Sequence, residues 1–141
     1  MHKAARVFLI VVSVLNGLAG LVCGMLLIVR PDGAFMQMGA LLPVIGTFPF
    51  ANVFFRDFFA IGMVMLLALG VPNATAAVLL VRHHAAQYGV TLVSAILLIG
   101  WCGFELVYMY NLAAVAYLVV GVVSAFASLW LMRRPSSAVS A

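Results

Sequence analysis

Charge is the scarcest property of this sequence. Only 7% of its 141 residues are charged and three are acidic (Asp32, Asp57 and Glu105), while 67% are hydrophobic. So few charged side chains could not cover the apolar surface of a water-soluble domain of this size, which places the chain in the membrane class. Cysteine is almost as rare: Cys23 and Cys102 each lie inside an apolar run, and without a CxxC neither a dithiol redox motif nor a zinc site is indicated. A serine–histidine–acid set, a Gly-rich phosphate loop and an HExxH are all missing, so catalysis has no visible machinery and no cofactor or metal is expected. The net charge of +4 with a pI near 9.6 does not point to nucleic acid. The basic residues stand at the ends of apolar runs rather than in a patch interleaved with aromatics, which is a topology pattern.

Long apolar runs are what the chain does have. Crossing a hydrocarbon core takes roughly 20 predominantly apolar residues in helical form. Four stretches meet that requirement, at about 8–29, 54–81, 89–110 and 112–132. They predict an all-α, four-helix transmembrane bundle in one integral domain, residues 1–135, followed by a disordered tail, 136–141. Lys3 and Arg6 ahead of the first run resemble a signal peptide. Phe8 to Val29 is longer than a signal h-region and lacks a small-residue cleavage site, and Val22 argues against lipid attachment at Cys23, so a retained first span is expected.

Within the first span, Ser13, Asn16, Gly17, Gly20 and Gly24 share a face, and Gly20 with Gly24 forms a GxxxG that lets helix backbones approach closely. That face is either a dimer seam or packing within the bundle. The connection from Ala34 to Val53 is uncharged and rich in aromatic and sulfur side chains, broken by Pro43, Gly46 and Pro49. It predicts a short interfacial helix over Ala34 to Leu42 and an apolar outer loop against the bundle mouth, acting as a lid or as an aromatic anchor. Pro72 falls near the middle of the second span and predicts a kink. Asn73 and Asn16 come at matching depth, which predicts an interhelical hydrogen bond. His83 and His84, adjacent and so diverging on a helix, are polar interface residues rather than a metal pair. The very short link Tyr110-Asn111 makes the last two spans antiparallel neighbours. A stripe of Ala114, Gly121, Ala125 and Ser128 marks the packing face of the last span.

Lys3, Arg6, Arg82, Arg133 and Arg134 gather at one side and Arg30 and Arg56 at the other, which puts both termini in the cytoplasm by the positive-inside rule. A multi-pass protein of a cell membrane, the bacterial inner membrane, follows. The acidic residues then lie on or near the outer side. Glu105 sits within the third span and shares its face with Trp101, Cys102 and Tyr108, with Ser94 further down the stripe. An intramembrane ionisable group is a functional candidate by default. Glu105 either binds a cation or proton in an outward-open cavity walled by Trp101 and Tyr108, or is neutralised by Arg56 or the Tyr108 hydroxyl and pins two helices together. Arg56 and Asp57 at the mouth of the second span complete the candidate set. Cys23 and Cys102 come at similar depths, so a disulfide is geometrically open to them.

In outline the four-span layout is similar to that of small multidrug exporters, whose membrane glutamate stands in the first helix, where this chain has Asn16. It resembles DoxX-like and other small bacterial inner-membrane proteins more closely, and neither likeness assigns a role to a residue. Three function classes remain. The chain is a non-catalytic accessory or subunit protein acting through helix packing, a small dimeric proton- or cation-coupled transporter using Glu105, or a membrane enzyme acting on a lipid or quinone. Its expected partners are the lipid bilayer and a second copy or another membrane protein.

Overall fold

The computed structural model describes residues 2–133, which are helical or looped, with no strand among them. Arg134, Pro135 and the tail 136–141, expected to be disordered, lie outside the described residues. Four helices are long and apolar enough to cross a membrane: His2–Val29, Phe59–Val81, Gln87–Tyr108 and Leu112–Met132. At ~1.5 Å per residue the shortest spans ~30 Å, the thickness of a hydrocarbon core. Their outward faces stay apolar, with Leu15, Leu18 and Val22 of the first helix each more than half exposed. Helices hydrophobic all round need lipid or protein on every side.

The first and second helices touch through glycine. A Cβ built on Gly20 would lie 2.5 Å from the Gly70 nitrogen, one on Gly17 2.9 Å from that of Ala74, and one on Gly24 2.8 Å from that of Leu66. Gly62 and Gly70 return the contact, with built Cβ atoms 2.8 Å from the Gly24 oxygen and the Leu21 nitrogen. Side chains of any size would force the backbones apart. The GxxxG face is therefore occupied by the chain's own second helix. The third and fourth helices form the other close pair, with Gly121 beneath Ile99, where a Cβ would lie 2.9 Å from the isoleucine side chain. Ala125 stands further along, in a shallow surface groove with Ile99, Val122, Phe126 and Leu129.

At the end of the bundle that carries the termini, Leu9, Leu80 and Leu131 form a buried cluster. The His2 and Trp130 rings stack there at 4.9 Å, and the Arg6 guanidinium donates to the Leu80 carbonyl. The first, second and fourth helices thus close on one another at this end. At the loop end, Leu27, Phe58 and Ile61 of the first two helices and their junction meet Ile45 and Phe48 of the connecting loop.

Several local features differ from expectation. The second helix starts at Phe59 rather than Phe54, because the Asp57 carboxylate accepts from the Phe59 N–H at 2.9 Å and stops the helix there. The third ends at Tyr108 rather than Tyr110, since Met109 turns to an extended conformation. The Ala34 to Leu42 segment is not one helix. Two 3₁₀ turns, Ala34–Met36 and Gly39–Leu41, are separated by Gln37 at φ 56°, and the four-residue helix Leu42–Ile45 follows with Pro43 in its first turn. Around Pro72 the helix widens to a π-helical stretch, Met65–Gly70, with the Val71 N–H reaching the Leu66 carbonyl. Proline donates no hydrogen bond and crowds the carbonyl one turn back, and a π-turn absorbs both effects without breaking the span. The Asn16–Asn73 hydrogen bond does not form. The Asn73 amide instead donates to the Leu69 carbonyl at 2.8 Å, within its own widened turn.

Candidate functional site

A cavity of about 280 Å³ lies inside the loop-end half of the bundle. Gly20, Cys23 and Leu27 of the first helix line it, with Met65 and Leu69 of the second, Leu98, Trp101, Cys102 and Glu105 of the third, and Ala113, Ala114 and Tyr117 of the fourth. The connecting loop roofs it with Met36, Met38, Leu41, Ile45 and Phe48. The walls are almost wholly apolar and rich in sulfur: Met36, Met38, Met65, Met109 and both cysteines face the space. Ala19 of the first helix and Ala113 and Tyr117 of the fourth line the cavity and are themselves exposed. The cavity accordingly opens sideways between these two helices, which meet at the terminal end of the bundle.

Its polar groups are few. Glu105 stands about one turn from the loop end of the third helix and is half-buried. Asn111 positions it. The Asn111 side-chain oxygen accepts from the Ala114 N–H at 2.7 Å and so caps the fourth helix. Its amide nitrogen donates to the Glu105 carboxylate at 3.3 Å and to the Met109 carbonyl at 3.1 Å. A single residue thereby starts one helix and orients the carboxylate of its neighbour. No basic side chain forms an ion pair with Glu105 among the described residues, where the ion pair found is Arg30–Asp32 at 3.1 Å. At the other end of the cavity stands Asn16, 8% exposed, whose amide nitrogen has no hydrogen-bond partner.

The sequence-derived candidates divide. Glu105 and Trp101 line the cavity, with Cys102 beside them. Tyr108 does not: its ring packs on Phe104 at 4.9 Å and on Phe48 at 5.3 Å, on the outer side of an aromatic cluster that backs the roof. Arg56 is exposed and donates to the Asn52 carbonyl, and the Asp57 carboxylate accepts from the Phe59 N–H, so neither reaches Glu105. The pairing of Glu105 with Arg56 is thus not made. Phe55 stacks on Phe104 of the third helix at 6.2 Å, but the Arg56 guanidinium turns back along its own loop to the Asn52 carbonyl. Cys23 and Cys102 are both free thiols. Ser94, further down the third helix, is buried and donates to the Val90 carbonyl at 3.0 Å. Asn111, Tyr117 and the roof methionines were not among the site residues expected from sequence. For Asn111 a signal existed, since an asparagine just before a long apolar run is an N-cap.

The roof is anchored by its first turn. Phe58 donates to the Pro31 carbonyl at 2.9 Å and packs its buried ring on Gly33, whose φ of 72° and lack of room for a Cβ both require glycine. Asp32 accepts from the Ala34 N–H at 3.0 Å and from Arg30, and these donors hold its carboxyl below the ordinary carboxylate range.

No family model matches this chain, and neither curated proteins nor solved structures supply a significant likeness.

Proposed function

We propose that this small multi-pass membrane protein takes an amphipathic molecule into its cavity, with Glu105 receiving a cationic or hydrogen-bond-donating group and the sulfur-rich walls receiving an apolar body. The observation that carries this reading is a carboxylate held in place by Asn111, without a basic partner among the described residues, at the head of an apolar cavity. Pockets built for small molecules have this composition, mostly apolar with a few placed polar groups. Methionine walls adapt to varied shapes. The side opening between the first and fourth helices suits a molecule that arrives from the bilayer. The positive-inside rule puts the loop end, and with it Glu105, on the outer side.

The reading is closest to the transporter class, because binding at an intramembrane carboxylate is the step that class requires. An accessory subunit would act through its small-residue faces, and Gly17, Gly20 and Gly24 are already in contact with the chain's own second helix.

The test uses Trp101 as reporter in a Trp130→Phe background, which leaves it the lone tryptophan and keeps an aromatic ring against His2. Octylamine should shift its fluorescence saturably while octanol does not, and Glu105→Gln should weaken octylamine binding about tenfold or more, as expected for a hydrogen bond to a charged group. Equal, non-saturating responses to both probes, unchanged by Glu105→Gln, would refute the reading.

A further inference from the structure

Resting on that reading, the second polar end of the cavity narrows the ligand's chemistry. Asn16 lies on the first helix below Ala19, Gly20, Cys23 and Leu27, all of which line the same space, so it forms the floor. It is 8% exposed, and its amide nitrogen is buried with no hydrogen-bond partner. The residue expected to satisfy it, Asn73, is engaged with its own helix at the Leu69 carbonyl. A buried amide donor left unpaired is disfavoured, and more so in lipid, where water does not reach it. Asn16 lines the cavity, and rotation of its amide about the Cβ–Cγ bond brings the unpartnered N–H to that space, where something else accepts the hydrogen bond.

We infer that the ligand is polar at both ends: a cationic or donor group meets Glu105 at the head, and a hydrogen-bond acceptor such as a carbonyl or ether oxygen meets Asn16 at the floor, with an apolar chain between them. The helix rise sets the spacing. Glu105 stands ~5 Å and Asn16 ~20 Å from the loop ends of their helices, so the two polar groups of the ligand are ~15 Å apart along the bundle axis. That excludes compact cations as the natural occupant and selects an elongated molecule. Sequence reading placed Asn16 in a helix–helix hydrogen bond; its position in the cavity makes it a recognition group instead.

The experiment compares two probes on the full-length protein, dodecylamine and 12-methoxydodecylamine, read by Trp101 fluorescence in the Trp130→Phe background. The methoxy probe should bind about tenfold more tightly to the unsubstituted cavity, the gain expected of one buried hydrogen bond. Asn16→Leu should abolish that preference while still binding dodecylamine, which shows that it is folded. Asn16→Ala, which removes the amide without adding bulk, gives the same comparison if the leucine variant does not insert. If wild type and variant bind both probes equally, the acceptor end is refuted while the Glu105 reading stands. If neither probe binds wild type, the reading itself falls, and the inference with it.

Discussion

Two flanks of the first helix, one residue apart, behave in opposite ways. Gly20 brings its backbone against Gly70 until no side chain fits between them, whereas Ala19, next to it, borders open space. Both residues are small. The difference lies across the gap: the second helix answers with Gly62, Gly70 and Ala74, while the fourth helix diverges after meeting the first at the terminal end. In water, collapse around apolar surface would tend to close such a gap. In lipid, helices associate by packing rather than by a hydrophobic drive. A small residue therefore makes a seam only where the opposing helix is equally small and close, and otherwise leaves open space.

This contrast is broken most severely at Gly20. Gly20→Leu should destabilise the protein by about 3 kcal/mol or more, because the new side chain meets backbone rather than a movable side chain. Thermal unfolding in detergent reads the loss, and an unchanged melting temperature would show that the seam is not formed. The neighbouring substitution Ala19→Phe should leave stability within about 0.5 kcal/mol, as for an exposed position. It should nevertheless slow octylamine association about tenfold by obstructing the side opening, with Kd little changed because entry and exit are hindered alike. If Ala19→Phe destabilised as much as Gly20→Leu, the two flanks would not differ as described.

A subtler effect belongs to Asn111. Asn111→Ala removes a helix cap and should cost about 1 kcal/mol of stability. Because the same side chain orients the Glu105 carboxylate, octylamine affinity should also fall. Asn111→Ser, which keeps a capping oxygen but loses the amide that donates to Glu105, should restore the melting temperature without restoring affinity. Recovery of both together would mean that Asn111 acts as a cap alone.

The smallest effect is expected at the roof. The Asp32 carboxyl is held below the usual range by the Ala34 N–H and then by Arg30, so its contribution is present above the ordinary carboxylate pKa and is lost as pH falls through the lowered value. The Ala34 amide resonance should therefore titrate below ~3.9, the ordinary aspartate value. Titration at or above that value would show that the turn is not held by Asp32.

How much of this was legible in the sequence depends on the kind of signal. Four apolar helices were, because lipid demands long uninterrupted apolar runs and each helix satisfies its own backbone. The nearness of Trp101 and Cys102 to Glu105 follows from helical spacing alone. Tyr108 also lies three residues from Glu105, yet it turns to the outer side, where Phe48 from the loop supplies the partner. That partner comes through a loop whose path depends on left-handed residues such as Gln37 and Phe50, which non-glycine residues rarely announce. Arg56 looked near Glu105, and its neighbour Phe55 does reach Phe104, but its guanidinium is taken by the Asn52 carbonyl of its own loop. The glycine seam could be read as a packing face, but its partner could not, since the matching Gly62, Gly70 and Ala74 lie on a helix whose register is shifted by a π-turn. The cavity was the least legible feature, because it is made by what does not meet.

The most direct test of that cavity is the rate at which Cys102 is alkylated by N-ethylmaleimide, resolved from Cys23 by peptide mass spectrometry, with and without octylamine. Occupancy beside Glu105 should slow Cys102 alkylation about tenfold at a probe concentration near ten times Kd, and the protection should disappear in Glu105→Gln. An alkylation rate indifferent to octylamine under conditions where octylamine is bound would place the ligand elsewhere and contradict the account.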